Sequence, residues 1–184
     1  INEHLIPALD YVGKGFEQGT VFLPQLLVSA ETAKASFAIL KDSLAKSGGQ
    51  GEKKDKVILA TVKGDIHDIG KNIVKVLLEN YGFDVIDMGK DVAPERITEK
   101  AKEENVQLVG LSALMTTTVV SMEETIRQLR KSVPGCQVMV GGAVLNQEYA
   151  DMIGADFYGK DAMQSVYYAQ RVFKGDKKEK MRLS

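Results

Sequence analysis

One stretch of the chain decides its fold class: Thr61-Val62-Lys63-Gly64-Asp65-Ile66-His67-Asp68-Ile69-Gly70-Lys71-Asn72. An apolar run of β-forming residues, 57–62, leads into this stretch and stops at Lys63-Gly64. A helical pattern of apolar residues begins near Ile69, so the stretch predicts a strand, a loop and a helix. In an open parallel sheet such a loop follows the carboxyl end of a strand, where ligands bind. The stretch therefore predicts an α/β fold with a ligand site in the loop that carries His67.

The alternation of strand and helix continues along the rest of the chain. Gly82 follows the first of these helices as a C-cap, and Pro94 falls in the first turn of the second. Five strand–helix units predict a Rossmann-like, flavodoxin-type sheet that is doubly wound, parallel and five-stranded. The predicted strands cover residues 57–62, 84–87, 108–112, 137–140 and 157–158, and the predicted helices cover residues 69–80, 93–104, 119–132, 146–152 and 162–173.

Residues 1–46 show a different pattern, that of two helices. The first predicted helix ends near Gln18, and the second extends from Leu23 to Ala45 with Pro24 in its first turn. Two helices cannot bury both of their apolar faces, so the segment predicts an incomplete helical bundle and a chain that is a piece of something longer. The predicted organisation is a helical cap domain, 1–46, a polar linker, 47–55, a sheet domain, 56–175, and a charged tail, 176–184.

The composition disfavours several classes of protein. The chain has 184 residues, of which 44% are hydrophobic, and this is enough for a real core. The net charge of −1 comes from interspersed acids and bases, so it indicates neither a nucleic-acid partner nor a membrane surface. No apolar run approaches the roughly 18 residues that span a bilayer. The single cysteine, Cys136, excludes an internal disulfide, predicts an inert thiol and favours a cytoplasmic location.

The candidate site is centred on His67, one of only two histidines, with acids at Asp65 and Asp68. In the strand order 2-1-3-4-5, which is common for such sheets, the loop after strand one faces the loop after strand three. That second loop, residues 113–118, is rich in hydroxyl groups. The fourth strand leads to Gly141-Gly142, where a ligand can approach the backbone closely. We therefore expect one crevice lined by these three segments.

Five interpretations of the crevice are open from the residues alone. A phosphate loop is disfavoured because five residues separate Gly64 from Gly70-Lys71 and because Asn72 replaces a Ser or Thr. A hydrolytic triad lacks a Gly-x-Ser-x-Gly elbow, and a zinc site lacks further His or Cys residues at ligand spacing. The plainest interpretation is a loop histidine that caps a helix and binds nothing. The fifth is an axial imidazole for a metal already held in a macrocycle, with Asp65 fixing the tautomer.

Three motifs resemble the signature of cobalamin-binding proteins. They are Asp65-x-His67-x-x-Gly70, Ser112-x-Leu114 and Gly141-Gly142, in this order and at the predicted strand ends. B12-dependent methionine synthase, corrinoid methyltransferase proteins and B12-dependent mutases share this signature. Residues 19–26, Gly-Thr-Val-Phe-Leu-Pro-Gln-Leu, look like the helical cap of the methyl-transferring members. The resemblance covers essentially the whole chain and implies methyl transfer rather than radical rearrangement.

The resemblance implies that the cofactor's own base leaves cobalt and that His67 becomes the axial cobalt ligand. Asp65 would accept the other ring N–H, and Thr118 would complete a proton relay at a position where methionine synthase typically has serine. His67, Asp65 and Thr118 are thus the implied catalytic residues. Further implied cofactor contacts are Gly64, Ile66, Asp68, Gly70, Ser112, Leu114, Thr116, Gly141, Gly142, Tyr158, Asp161 and Ala162, and the implied cap over the methyl group is formed by Phe16, Phe22, Leu23 and Leu26.

The function implied by the resemblance is that of a methyl carrier that cycles between cob(I)alamin and methylcobalamin. The segment Val109-Gly110-Leu111-Ser112-Ala113-Leu114-Met115-Thr116 favours the methionine synthase group, with homocysteine as acceptor. The alternative is a stand-alone corrinoid protein of a methanol, methylamine or methoxyarene methyltransferase system, and a B12-sensing domain is a weaker third possibility. The implied partners are methyl-donor and methyl-acceptor methyltransferase domains or subunits and a reductive reactivation protein. We expect no nucleic-acid partner and no membrane.

Overall fold

The computed structural model describes residues 4–46 and 55–180. The chain divides into two compact units, one of residues 1–55 and 76–84 and the other of residues 56–75 and 85–184. Apart from Asp55, the predicted linker lies outside the described residues. None of the helices in the described ranges is long and apolar enough to cross a membrane.

Two helices joined by a tight turn make up most of the first unit. Helix α1 spans Leu5–Glu17 and helix α2 spans Leu23–Lys46, so the end of α1 and both ends of α2 lie within one residue of their predictions. Gly19 has a φ of 72° in the turn, a conformation that glycine adopts without a steric penalty. The apolar side chains of Leu9 in α1 and Leu26 in α2 are buried, so each helix has a side chain in a packed interior.

The remaining elements alternate strand and helix, as predicted. The strands are β1 Lys56–Thr61, β2 Asp84–Asp87, β3 Leu108–Ser112, β4 Gln137–Gly141 and β5 Phe157–Tyr158. The helices are α3 Ile69–Asn80, α4 Pro94–Glu104, α5 Val119–Ser132, α6 Gln147–Met152 and α7 Ala162–Lys180.

The five strands form one sheet in the order β2-β1-β3-β4-β5. Strand β3 is parallel to both β1 and β4, and β4 is parallel to β5. This confirms the predicted Rossmann-like, doubly wound sheet. Strands β1 and β3 are parallel neighbours, and the sheet is extended in opposite directions from them. The loops that follow these two strands therefore lie side by side at the carboxyl edge of the sheet.

The central strands are buried on both faces, as expected for parallel strands covered by helices. On one face, residues of β1, β3 and β4 share a core with residues of α4 and α5. On the other face, Gly110 lies under the side chains of its neighbours. A Cβ there would come within 2.5 Å of Leu59 Cδ2 and 2.8 Å of Met139 Cε. The rigid sheet therefore holds the ends of β1 and β3 in a defined relative position.

The structure departs from the sequence prediction at a few element ends. Helix α7 continues to Lys180, so the predicted end at residue 173 is wrong and residues 176–180 of the predicted tail are helical. Lys and Glu have high helix propensity, so a run of charge does not end a helix. Strand β1 ends one residue early because Val62 forms only an isolated bridge, with Val92. A 3-10 turn at Thr116–Thr118, which no sequence pattern predicted, precedes α5.

Candidate functional site

The loop after β1 brings His67 and Asp65 together. Asp65 Oδ1 accepts a hydrogen bond from the backbone N–H of His67, at 3.0 Å, which closes a short side-chain turn. The same oxygen lies 2.8 Å from His67 Nδ1. A carboxylate in that position keeps the proton on Nδ1 and leaves Nε2 as the nitrogen that can bind a metal. The His67 side chain is 46% exposed, whereas that of Asp65 is fully buried.

The second oxygen of Asp65 is bound by the loop after β3. Asp65 Oδ2 accepts from the amides of Leu114, at 2.7 Å, and Met115, at 3.2 Å, and from the hydroxyl of Thr118, at 2.8 Å. Burial alone would raise the pKa of the Asp65 carboxyl, but hydrogen bonds from His67, Leu114 and Thr118 outweigh it and hold that pKa well below its usual range. Asp65 therefore stays ionised and accepts the hydrogen bond from His67 Nδ1.

Thr118 has two acceptors for one proton. Its Oγ1 lies 2.8 Å from Asp65 Oδ2 and also 2.8 Å from the carbonyl oxygen of Met115. The 3-10 turn places the hydroxyl between these two oxygens. The amides of Leu114 and Met115 are functional groups that the sequence did not reveal, because a backbone N–H has no signature in the residue types.

Ser112 and Gly141 lie in one row across the sheet. Ser112 pairs with Thr61 on one side and with Gly141 on the other, so the three residues face the same way at the carboxyl edge. This row at the end of β3 thus consists of two small residues and a threonine. Thr61 Oγ1 is buried and has no hydrogen-bond partner among the described residues.

The two glycines of the Gly141-Gly142 motif have different surroundings. Gly142 has a φ of 139°, and a Cβ there would lie 1.8 Å from the carbonyl oxygen of Ala113. The space over Gly142 is thus taken by this chain's own backbone, which is a different reason for glycine from the ligand approach that the sequence suggested. At Gly141 a Cβ would make only an ordinary contact, at 3.5 Å, with Gly159.

Gly70, in the first turn of α3, has open space around it. Outside its chain neighbours and its own helix backbone, a Cβ there would meet no heavy atom of the described residues within 4 Å, and the φ of Gly70 is not in the left-handed range. Glycine in a helix costs roughly 0.5–1 kcal/mol relative to alanine, and no packing among residues 4–46 and 55–180 explains its presence here. Ile66 and Ile69 of the same loop region are exposed, and so is Leu114 of the facing loop. Open space and apolar side chains around one imidazole fit a large, flat macrocycle.

The remaining predicted contact residues of the sheet unit lie at strand ends or loops. Gly64 has a φ of 84°, Asp68 is half-buried and Thr116 is exposed in the 3-10 turn. Tyr158 donates its hydroxyl proton to the carbonyl oxygen of Leu145, and Asp161 accepts from the amide of Gln164 at the start of α7, where Ala162 is the first residue. The described hydrogen bonds of Tyr158 and Asp161 are thus local to β5, α6 and α7. Their role toward a ligand stays a prediction.

The four predicted cap residues belong to the helical unit and differ in burial. Leu26 is buried, Phe16 and Leu23 are half-buried, and Phe22 is 68% exposed. Leu26 is therefore a core residue, while Phe22 is a large apolar side chain exposed to solvent. The predicted shielding of a methyl group by these four residues stays a prediction.

Comparison with known families identifies the class of protein. Residues 55–167 match the family model of a B12 binding domain, and residues 1–41 match a second model that is also described as a B12 binding domain. The chain therefore belongs to the B12-binding family, and cobalamin is its cofactor. The donor set agrees with this: one oriented imidazole, a buried carboxylate and open space around Gly70.

Within that family the chain is similar to corrinoid proteins. It is 46% identical over 160 residues to trimethylamine corrinoid protein 2 of Methanosarcina acetivorans, a match that covers 86% of this chain and 74% of that protein. It is 41% identical to the dimethylamine corrinoid protein of Methanosarcina barkeri, over 94% of this chain and 81% of that protein. A solved cobalamin-binding protein from Desulfitobacterium hafniense matches with a TM-score of 0.77 and 36% identity, over 89% of this chain and 77% of that one.

A second solved structure is a complex. The methanol:cobalamin methyltransferase complex of Methanosarcina barkeri matches with a TM-score of 0.79 and 29% identity, over 95% of this chain and 66% of the matched chain.

Proposed function

We propose that this chain is the cobalamin-carrying component of a methyltransferase system whose methyl donor is a methylamine or methanol. The observation that carries the proposal is the similarity, over most of the chain, to proteins named for trimethylamine and dimethylamine and to a chain of a methanol methyltransferase complex. These relatives favour the alternative interpretation of the sequence over methionine synthase. The proposed partners are the methyltransferase subunits that donate and accept the methyl group.

The sequence prediction of methionine synthase rests on residues 109–116. This segment carries no information about which molecule accepts the methyl group. Residues 109–116 form most of β3 and the loop after it. This segment supplies the Leu114 and Met115 amides that bind Asp65. Any protein that orients a histidine in this way needs such a segment, whichever substrate its partners use. A reductive reactivation partner and a cytoplasmic location are further parts of the proposal, the latter supported by a chain with one cysteine.

In the proposed mechanism Nε2 of His67 would be the atom of this chain that holds the cobalt of the cofactor. The Asp65 carboxylate would fix the ring orientation and hold the proton of the neutral imidazole on Nδ1. Thr118 and the two amides hold that carboxylate in place. Bound cobalamin supplies a cobalt atom that accepts and releases the methyl group, and the residues of this chain control ligation and proton position.

The surroundings of His67 would hold the rest of the cofactor. The open space at Gly70 and the apolar residues Ile66 and Leu114 suit the corrin face. The row of small residues at the end of β3 and β4 suits the displaced nucleotide. The proposed contact residues are Gly64, Ile66, Asp68, Gly70, Ser112, Leu114, Thr116, Gly141, Gly142, Tyr158, Asp161 and Ala162.

The proposed ligation is tested by the visible absorption spectrum of the protein loaded with hydroxocobalamin. We expect a spectrum of histidine-ligated cobalamin that is lost in His67→Ala. His4→Ala is the matched control, because His4 is the only other histidine and lies before α1. A His67→Ala protein with the wild-type spectrum would show that His67 is not the ligand.

The proposed system is tested by offering methyl donors to the reduced, loaded protein. Methyltransferases for methanol, monomethylamine, dimethylamine and trimethylamine are each mixed with their substrate and the chain, and methyl transfer is followed by the change in the visible spectrum. We expect transfer with at least one of these four. Transfer only with the methyltetrahydrofolate and homocysteine modules of methionine synthase would reverse the assignment.

A further inference from the structure

The loop between β2 and α4, residues 88–93, contacts the loop that carries His67 at several points. Gly89 accepts a hydrogen bond from the amide of Thr61, at 2.9 Å, and Val92 donates to the carbonyl oxygen of Thr61, at 3.1 Å. These bonds extend the end of β1 on the side away from β3. None of the three motifs that resemble the cobalamin signature includes a residue of this loop.

Asp91 makes the contacts that come closest to the site. Its Oδ1 accepts from the amide of Gly64, at 2.8 Å, and its own amide donates to the carbonyl oxygen of Asp65, at 2.9 Å. Gly64 and Asp65 are consecutive. Asp91 therefore binds this dipeptide at both ends, at the Gly64 amide and at the Asp65 carbonyl oxygen. The carboxylate of that same Asp65 sets the orientation of His67.

The backbone conformation of Asp91 would suit a glycine better. It therefore indicates that this position needs the aspartate carboxylate. Asp91 has a φ of 53°, in the left-handed region where glycine is the most comfortable residue. Among the described residues only Asn105, at the end of α4, is another non-glycine residue with a positive φ. An aspartate tolerates this conformation less well than glycine but supplies an acceptor for the Gly64 amide. Such outliers are concentrated at functional sites.

We propose that Asp91 is a positioning residue for the imidazole of His67, an inference that rests on the proposed binding of cobalt by His67. Asp91 acts through Asp65: it holds the Asp65 backbone, and the Asp65 carboxylate holds the imidazole. The ion pair between Lys63 and Asp91, at 3.2 Å, is not needed for this role. Both side chains are about half exposed, 55% and 46%, and an ion pair at that exposure contributes little.

The decisive variant is Asp91→Gly, because it removes the side-chain acceptor and leaves the backbone turn in place. Glycine relieves the backbone strain and keeps the amide that donates to Asp65, but it removes the acceptor of the Gly64 amide. If Asp91 were only a turn residue, Asp91→Gly would bind cobalamin as well as the wild type. If Asp91 positions His67, the variant loses affinity although its turn is more relaxed. Asn105→Gly is the matched control, since it relieves the same backbone strain at the other described non-glycine residue with a positive φ.

The experiment loads the full chain with hydroxocobalamin and records both affinity and the visible spectrum of histidine ligation. For Asp91→Gly we expect affinity that is about fivefold to tenfold weaker, the size of one lost hydrogen bond, and a smaller histidine-ligated fraction at each pH. We expect Asn105→Gly and Lys63→Ala to match the wild type. We expect Asp91→Asn to recover most of the loss, because its amide oxygen can still accept from Gly64.

The outcomes separate the two proposals. Wild-type ligation in Asp91→Gly, or an equal loss in Asn105→Gly, would overturn the role of Asp91 while leaving His67 as ligand. A wild-type spectrum in His67→Ala would overturn the proposed function itself. Should Asp91→Gly not fold, hydrogen exchange of the wild-type protein decides instead: the exposed Gly64 amide should exchange slowly, and fast exchange would contradict the contact with Asp91.

Discussion

Thr118 Oγ1 lies 2.8 Å from Asp65 Oδ2, although 53 positions separate the two residues along the chain. Thr118 is 5% exposed and Asp65 is fully buried. The contact joins the loop after β1 to the turn after β3, which are adjacent because β1 and β3 are parallel neighbours. The carboxylate that orients His67 is therefore held by residues from two loops.

Removing the Thr118 hydroxyl should weaken both folding and ligation. In Thr118→Val the Asp65 carboxylate keeps its backbone donors but loses a buried hydrogen bond, so we expect the free energy of unfolding to fall by about 1–2 kcal/mol. The histidine-ligated spectrum with hydroxocobalamin should weaken in the same variant. Thr118→Ser keeps the hydroxyl and should retain the ligated spectrum; a loss equal to that of valine would show that the hydroxyl is not the relevant group. Urea unfolding and visible absorption provide the two measurements.

Acid should destabilise the unloaded protein partly through Asp65. The folded-state pKa of Asp65 is lowered from its ordinary value of 3.8, because hydrogen bonds from His67, Leu114 and Thr118 outweigh the effect of burial. A carboxyl with a lowered folded pKa stabilises the fold above its unfolded pKa, and this stabilisation is lost as the pH falls below about 4. We expect the free energy of unfolding to decrease with acid less steeply in Asp65→Asn than in the wild type. Equal slopes below pH 4 in the two proteins would contradict this prediction.

Asp65→Asn should also be less stable than the wild type at neutral pH. The asparagine side chain has a single oxygen. It could accept either from the donors of His67 or from those of the loop after β3, but not from both. We expect a loss of roughly 2–4 kcal/mol, the range for disrupting a buried, charged hydrogen-bond network. The measurement is urea unfolding at pH 7, and Asp68→Asn, in the same loop, is the control that should stay close to the wild type.

The two glycines Gly142 and Gly70 should respond in opposite ways to alanine. At Gly142 a Cβ would overlap the carbonyl oxygen of Ala113, and φ is 139°, so we expect Gly142→Ala to lose more than about 2 kcal/mol of stability. At Gly70 a Cβ would meet no atom of the described residues within 4 Å outside its chain neighbours and its own helix backbone, so Gly70→Ala should gain up to about 1 kcal/mol. Thermal unfolding of the two variants without cofactor provides the comparison.

Gly70→Ala should nevertheless bind hydroxocobalamin less tightly. The proposed cofactor site uses the space that the new methyl group would fill. Titration of the wild type and the variant with hydroxocobalamin measures the change. A variant that is more stable and binds as tightly as the wild type would show that the space over Gly70 is not used by the cofactor.

Cys136 should be inert in the folded protein. The thiol is 3% exposed, and burial raises its pKa to about 11 despite the nearby Arg130. We expect no reaction with a disulfide reagent such as DTNB at pH 8 until the protein is unfolded with urea, when one thiol per chain reacts. Rapid reaction in the absence of urea would contradict the buried position.

The order and type of the elements could be predicted from the sequence because each depends on local patterns. The five strands and most helix bounds followed from apolar periodicity, Gly82 and Pro94. The end of α7 could not be predicted, because Gly175 and Asp176 disfavour a helix whereas the Lys and Glu residues that follow favour it. The 3-10 turn at Thr116–Thr118 was missed since threonines in a row have no distinctive turn signal.

By itself the sequence determined the doubly wound fold, the residue types around the imidazole and the resemblance to cobalamin-binding proteins. Only the tertiary structure decided which groups hold Asp65, since the amides of Leu114 and Met115 and the contact with Asp91 come from segments far apart in the chain. It also showed that Ala113 occupies the space at Gly142, whereas the space at Gly70 is open. Local residue patterns specify strands and helices, but the donors around a buried carboxylate depend on which strands are neighbours. That arrangement exists only once the sheet has formed.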